Sequence, residues 1–125
     1  MSTRYNVRFL SEDDLKLFSD DACRARCINE YYVGVIAEDG GSAAAFIIYP
    51  KDNTVGFVKR GQMSEEFSLF VAKLSRKLME EVTEELSAWV KEKDTKAIKF
   101  IEFLGFERKD QKVGYYQYIW QIQQQ

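Results

Sequence analysis

The chain has 125 residues, 46 % of them apolar and 14 % aromatic, with 18 basic and 20 acidic side chains for a net charge of −2. That length suits one compact domain with a packed core, so a single domain over residues 1–125 is expected. The balanced charge leaves no long positive run, which argues against a general electrostatic nucleic-acid binder. No apolar run approaches the roughly 18 residues of a membrane span. The opening stretch MSTRYNVRFL lacks the charged-then-apolar pattern of a secretory leader. A cytoplasmic protein without a membrane partner is the expectation. There is no histidine, which removes the commonest general base, the usual catalytic triads and most zinc sites. No metal centre is expected.

Residues 5–10 (YNVRFL) alternate and predict a first strand, with Val7 and Phe9 facing one way. Ser11 is placed as a helix N-cap, with Glu12, Asp13 and Asp14 in a first turn whose dipole favours negative charge. Residues 20–27 either continue that helix or begin a second one. Cys23 and Cys27 fall here and share a face if the segment is helical. Two thiols without further Cys or His make an incomplete metal site, so they are read as buried cysteines, with a redox pair or a nucleophile as alternatives. Residues 31–37 (YYVGVIA) and 43–49 (AAAFIIY) read as strands joined by Glu38-Asp39-Gly40-Gly41, a sequence that tolerates positive φ. Pro50-Lys51-Asp52-Asn53 forms the next turn, into a strand at residues 54–59 (TVGFVK). Three strands joined by tight turns predict an antiparallel meander, and their long apolar runs predict cover on both faces.

The second half predicts a long helix from Glu65 to about Glu84, striped by Phe67, Phe70, Val71, Leu74, Leu78 and Val82. A strand at residues 86–90 (LSAWV) follows. Then comes a helix at residues 95–104 that buries Ala97, Phe100, Ile101 and Leu104, capped by Asp94 or Thr95 and stopped by Gly105. A hairpin starts at residues 106–108, turns through residues 109–112 and returns at residues 113–122, with Tyr116, Tyr118, Trp120 and Ile122 on one face. Residues 123–125 read as a frayed tail. A strand, crossover helix and further strand usually make a right-handed parallel unit. A ligand of such a unit sits beyond the strand ends, against the helix N-terminus, here around residues 59–66.

Residues 89–106 (WVKEKDTKAIKFIEFLGF) resemble the closing signature of the GNAT superfamily of acyl-CoA-dependent N-acyltransferases. Ala97, Leu104, Gly105 and Phe106 stand at matching positions, and the element order resembles that family over nearly the whole chain. The resemblance implies an α+β fold, with a mostly antiparallel sheet of about seven strands, one parallel splayed pair and helices on both faces. It also implies acetyl-CoA as cofactor, its pyrophosphate on backbone amides that open the main helix. The matching residues here are Phe57, Val58, Lys59, Arg60, Gly61, Gln62, Met63 and Ser64, with Asp94 and Ala97 at the closing helix. This loop has one glycine where the family has a pair, and Glu65 and Glu66 follow it. Ile101 stands where the family usually carries a tyrosine acid.

Tyr116 or Tyr118 is expected to replace that acid, with Tyr115 as a further choice, and Glu30 to act as base, with Asp52 and Glu92 as other carboxylates near strand ends. The implied activity is acetyl transfer to an amine of a protein or small molecule. The alternative is a catalytically inactive GNAT-fold protein with a structural or partner-binding role. That alternative follows a narrower resemblance to the small GNAT-like proteins of tailed bacteriophages, among them internal virion proteins, and it would place the chain in the host cytoplasm or the virion. A third reading keeps the cofactor as a bound ligand without chemistry. The aromatic last strand fits either a core or a homodimer seam.

Overall fold

The computed structural model of the chain describes residues 5–82 and 84–121. Among these are seven strands, three α-helices and one short 3-10 helix. No helix among them is long and apolar enough to cross a membrane. The chain gathers into two compact units, one running to Val71 and the other beginning at Ala72.

The first unit is an antiparallel meander of β1 (Asn6–Phe9), β2 (Val33–Asp39), β3 (Ser42–Tyr49) and β4 (Thr54–Arg60). Asp39 pairs with Ser42 across the two-residue loop Gly40-Gly41, and Gly40 adopts φ 58°. Tyr49 pairs with Thr54 across the four-residue turn, where Asn53 sits at φ 55°. β3 is buried along nearly its whole length, as its apolar run predicts. One face is covered by the 3-10 helix Glu12–Leu17 and α1 (Asp21–Asn29). Leu15, Phe18 and Cys27 from these elements join Ile36, Ala45, Ile47, Tyr49 and Val58 in one core. The two helical segments are separate because each has its own cap. The Asp14 carboxylate accepts from the Ser11 N–H at 2.8 Å, and the Asp20 carboxylate accepts from the Cys23 N–H at 2.9 Å. β1 forms as expected, and all four of its residues are exposed, Phe9 to 79 %.

α2 (Glu65–Met79) starts in this unit, where Ser64 Oγ accepts from the Phe67 N–H at 3.1 Å. Tyr5 packs against Phe67 and Phe70, with ring centroids 5.1 and 4.7 Å away. The helix is shorter than predicted. After Met79 the N–H groups of Glu80, Glu81 and Val82 turn back to the carbonyls three residues earlier. Its most buried positions are Phe67, Ser75 and Met79, and Leu74 and Leu78 are half-buried, so the buried stripe is rotated from the predicted one.

The second unit holds β5 (Leu86–Lys91), α3 (Thr95–Phe103), β6 (Glu107–Lys112) and β7 (Tyr115–Trp120). β7 pairs antiparallel with both β5 and β6. Leu86, Ala88 and Val90 lie opposite Trp120, Tyr118 and Tyr116 and share their face, since directly paired residues point the same way. α3 packs there: Glu102 reaches Tyr118, and a Cβ at Gly105 would lie 3.6 Å from the Trp120 ring. Asp94 caps α3, and Gly105 at φ 102° ends it. The hairpin is a correction. β6 continues to Lys112 past a bulge near Lys109, and the turn is Val113-Gly114, not residues 109–112. The charged run ERKDQK has no apolar face to bury, so it forms a fully exposed edge strand whose charges discourage pairing with another chain. Ile122 and residues 123–125 lie outside the described residues.

Candidate functional site

The strongest candidate is the passage from β4 into α2. Lys59 and Arg60 end the strand, Gly61, Gln62 and Met63 turn the chain, and Ser64 caps the helix. By helix geometry the amides of Glu65 and Glu66 have no intrahelical acceptor, and the dipole makes this end positive. The carboxylates of Glu65 and Glu66 stand in the same turn, and Glu66 accepts from the Tyr5 hydroxyl at 3.0 Å. Arg60 Nε is buried with no hydrogen-bond partner among the described residues. A buried, unsatisfied donor beside a helix N-terminus is a group that an anionic ligand would complete.

Gly61 has a structural reason to be glycine. Its φ is +76°, and a Cβ there would lie 2.7 Å from the Gly41 carbonyl oxygen of the β2–β3 turn. The glycine lets two turns pass each other, so it is not by itself a mark of ligand approach. Val58 is buried in the core and has only its backbone to offer a ligand. Phe57 stacks on Phe46 with centroids 4.9 Å apart. Asp94 and Ala97 are bonded to each other, the carboxylate accepting from the Ala97 N–H at 3.1 Å as a cap.

Of the acid and base candidates, Glu30 is the C-cap of α1, three residues before the start of β2. In the first unit that is the end of the sheet opposite the residue 61–64 loop, because Val33 pairs with Ile48 and Ile48 with Val55. Arg26 donates to Glu30 at 2.7 Å and to both oxygens of Asp52 at 2.7 and 2.8 Å, joining the two carboxylates. Partial burial pushes the Asp52 carboxyl up, but the Thr54 hydroxyl and Arg26 outweigh it and hold it below its ordinary value. Glu92 accepts from the Gln111 side chain at 3.3 Å.

Tyr118 is fully buried and donates to Glu102 at 2.9 Å. Burial pushes its hydroxyl above the ordinary tyrosine value, with Arg108 pulling it back and Glu102 adding to the rise. It has the features of a packing residue. Tyr116 is less buried and lies under the Arg108 guanidinium, 3.9 Å from its ring centroid. Tyr115 is exposed at the start of β7. Ile101 is 1 % exposed, one of the best-buried side chains of α3.

Residues 57–64 are consecutive, but Phe57 stacks on Phe46 and Val58 lies in the core. The structure links Glu30 to Asp52 through Arg26 and reduces Asp94 and Ala97 to a cap. Sequence reasoning missed Arg26 and Arg108, because lone arginines carry no spacing signal; it named Arg60, whose unpartnered Nε only the structure shows.

No protein-family model matches the chain, and no curated protein does. Solved structures do match. The ribosomal-protein-S18-alanine N-acetyltransferase of Escherichia coli aligns over 97 % of this chain and 96 % of its own, at 14 % identity and a TM-score of 0.65. The Campylobacter jejuni N-acetyltransferase PseH, solved in complex with acetyl coenzyme A, aligns over 94 % of this chain and 98 % of its own, at 12 % identity and a TM-score of 0.61. A GNAT-family acetyltransferase of Bacillus anthracis aligns over 97 % of this chain and 96 % of its own, at 14 % identity and a TM-score of 0.57. The chain has the GNAT fold. This α+β architecture is the one expected from the closing signature and the element order. In the GNAT fold of this chain, the loop after β4 and the N-terminus of α2 come from consecutive residues, so the candidate anion seat is local in sequence.

Proposed function

We propose that the chain is an N-acetyltransferase that uses acetyl-CoA to acetylate an amine of a protein or small molecule. The observation that carries this is the β4–α2 passage in a GNAT fold, where Arg60 with its orphan Nε closely precedes the α2 N-terminus in the chain. These donors fit a pyrophosphate, the anionic part of the cofactor. Glu65 and Glu66 weaken the fit, and the Tyr5 hydroxyl holds one of them. Acetyl-CoA, when bound, supplies an acetyl group activated as a thioester.

The residues of the chain hold and orient the reactants. Arg60 and the amides of the first α2 turn hold the phosphates, and backbone donors of β4 align the donor. Positioning alone supplies a large share of such a rate. Tyr116 is the acid in this reading, since Tyr118 is bonded to Glu102. Glu30 is the base. The non-catalytic alternative rests on the motif departures and gains no observation from the fold or the comparisons.

The test is calorimetric titration with acetyl-CoA and CoA, followed by release of free thiol in the presence of a panel of amines. Micromolar binding is expected, with Arg60→Ala weakening it about tenfold, the loss of roughly one charge-assisted contact. Tyr116→Phe should lower turnover more than affinity. No binding at millimolar cofactor would overturn the proposal.

A further inference from the structure

A second cluster lies in the first unit at the end of β3 away from the residue 61–64 loop. Cys23 and Cys27 stand four positions apart on α1 and share a face. Both are free thiols. Their sulfurs lie 3.5 and 3.6 Å from the same atom, Tyr49 Oη, so the two side chains point at one spot. Cys27 is 5 % exposed and Tyr49 3 %. Cys23 is partly exposed and gives access from solvent. The Arg26 guanidinium lies over the Tyr49 ring, 3.8 Å from its centroid.

Two thiols so placed can form a disulfide or share a ligand, and geometry separates the two. A disulfide needs Cβ atoms about 3.5–4.5 Å apart. Helical neighbours at this spacing hold theirs about 5–6 Å apart. Oxidation would therefore unwind part of α1 and strip the buried Tyr49 hydroxyl of its sulfur partners. An ion held by two sulfurs at about 2.3 Å each keeps them about 4.6 Å apart, which the helical spacing accommodates by side-chain rotation alone. Four-coordinate zinc is not served. The chain has no histidine, and the described residues contain no group of three or more His, Cys, Asp or Glu that could hold a metal. Thiolates select soft ions.

We infer that Cys23 and Cys27 form a two-coordinate site for a soft monovalent cation of the Cu(I) class, with the Tyr49 hydroxyl donating a hydrogen bond to a ligating sulfur. Binding replaces two S–H bonds with two S–Cu bonds. Two protons leave to solvent and no electron moves. The occupied site carries one net negative charge, which the Tyr49 donor hydrogen-bonds; Arg26 nearby is already paired with Glu30 and Asp52. Burial of Cys27 and Tyr49 keeps water from adding as a third ligand.

This site does not depend on acetyl transfer, and its test is separate. The reduced full-length chain is titrated anaerobically against the coloured bis-bicinchoninate complex of Cu(I). The expected result is withdrawal of one Cu(I) per chain, with new ultraviolet absorption from thiolate-to-copper charge transfer. Cys23→Ala, at the partly exposed position, should weaken withdrawal at least a hundredfold, and Tyr49→Phe only several-fold. Circular dichroism checks that both variants fold. Failure of the unaltered chain to withdraw Cu(I) would overturn the inference whatever the variants do. Withdrawal by folded Cys23→Ala equal to that of the unaltered chain would overturn it too.

Discussion

Gly61 and Tyr118 show how single residues change meaning once their neighbours are known. In the sequence Gly61 stands as the surviving glycine of a phosphate loop. In the structure its positive φ and the approach of the Gly41 carbonyl account for it without any ligand. Gly61→Ala is therefore expected to destabilise the chain by about 1–3 kcal/mol, the usual cost of forcing a side chain into such a conformation. Urea denaturation measures this, and unchanged stability would show that the two turns can move apart. Tyr118 has the same chemistry as Tyr116 on paper. Only the position of Glu102, on α3, marks the Tyr118 hydroxyl as a packing group.

At the scale of elements, the 3-10 helix is fastened to the sheet by one ionic cluster. Arg8 of β1 reaches Asp14 at 2.6 Å and Glu38 of β2 at 2.8 Å, and Asp14 also accepts from the Ser11 N–H and hydroxyl. The Arg8 hydrogen bond is the main cause that lowers the Asp14 carboxyl from 3.8 to about 2; burial opposes it and the Ser11 bonds add to it. A carboxyl depressed in the folded state contributes stability above its unfolded pKa and loses it as pH falls. The contribution is thus complete above about pH 4 and disappears as the pH falls through about 2. Asp14 is buried but Arg8 is partly exposed, so after allowing for solvent screening we expect about 1–2 kcal/mol. Asp14→Asn should flatten the acid limb of a stability–pH profile. An unchanged limb would assign acid sensitivity to other carboxylates. The caps at Ser11 and Asp94 are legible in sequence, because short polar residues at a helix start satisfy its exposed polar groups, whereas the sequence leaves open the Asp20 cap that starts α1 as a separate helix. The end of α2 is not legible, since Glu80, Glu81 and Val82 have ordinary helical character and the chain leaves the helix through three-residue turns.

For the whole molecule, binding acts on every element at once. If acetyl-CoA binds the folded chain alone, a concentration one hundred times its dissociation constant contributes about 2.7 kcal/mol. That should raise the melting temperature by roughly 10 °C for a chain of this size. A melting temperature that does not move with cofactor would count against the proposed function and leave the fold untouched. The sequence by itself determined the fold class, the order of elements, and the β2–β3 and β3–β4 turns. Each of these depends on periodicity, turn chemistry or a local motif, and such signals lie within a few residues of one another. Tertiary structure decided the rest. It separated Tyr118 from Tyr116, tied Glu30 to Asp52 through Arg26, exposed β1 and β6, and brought Cys23, Cys27 and Tyr49 to one point. Those outcomes depend on which side chains meet across distant parts of the chain, and no spacing along the sequence encodes a contact between Arg26 and Asp52 or between Cys27 and Tyr49.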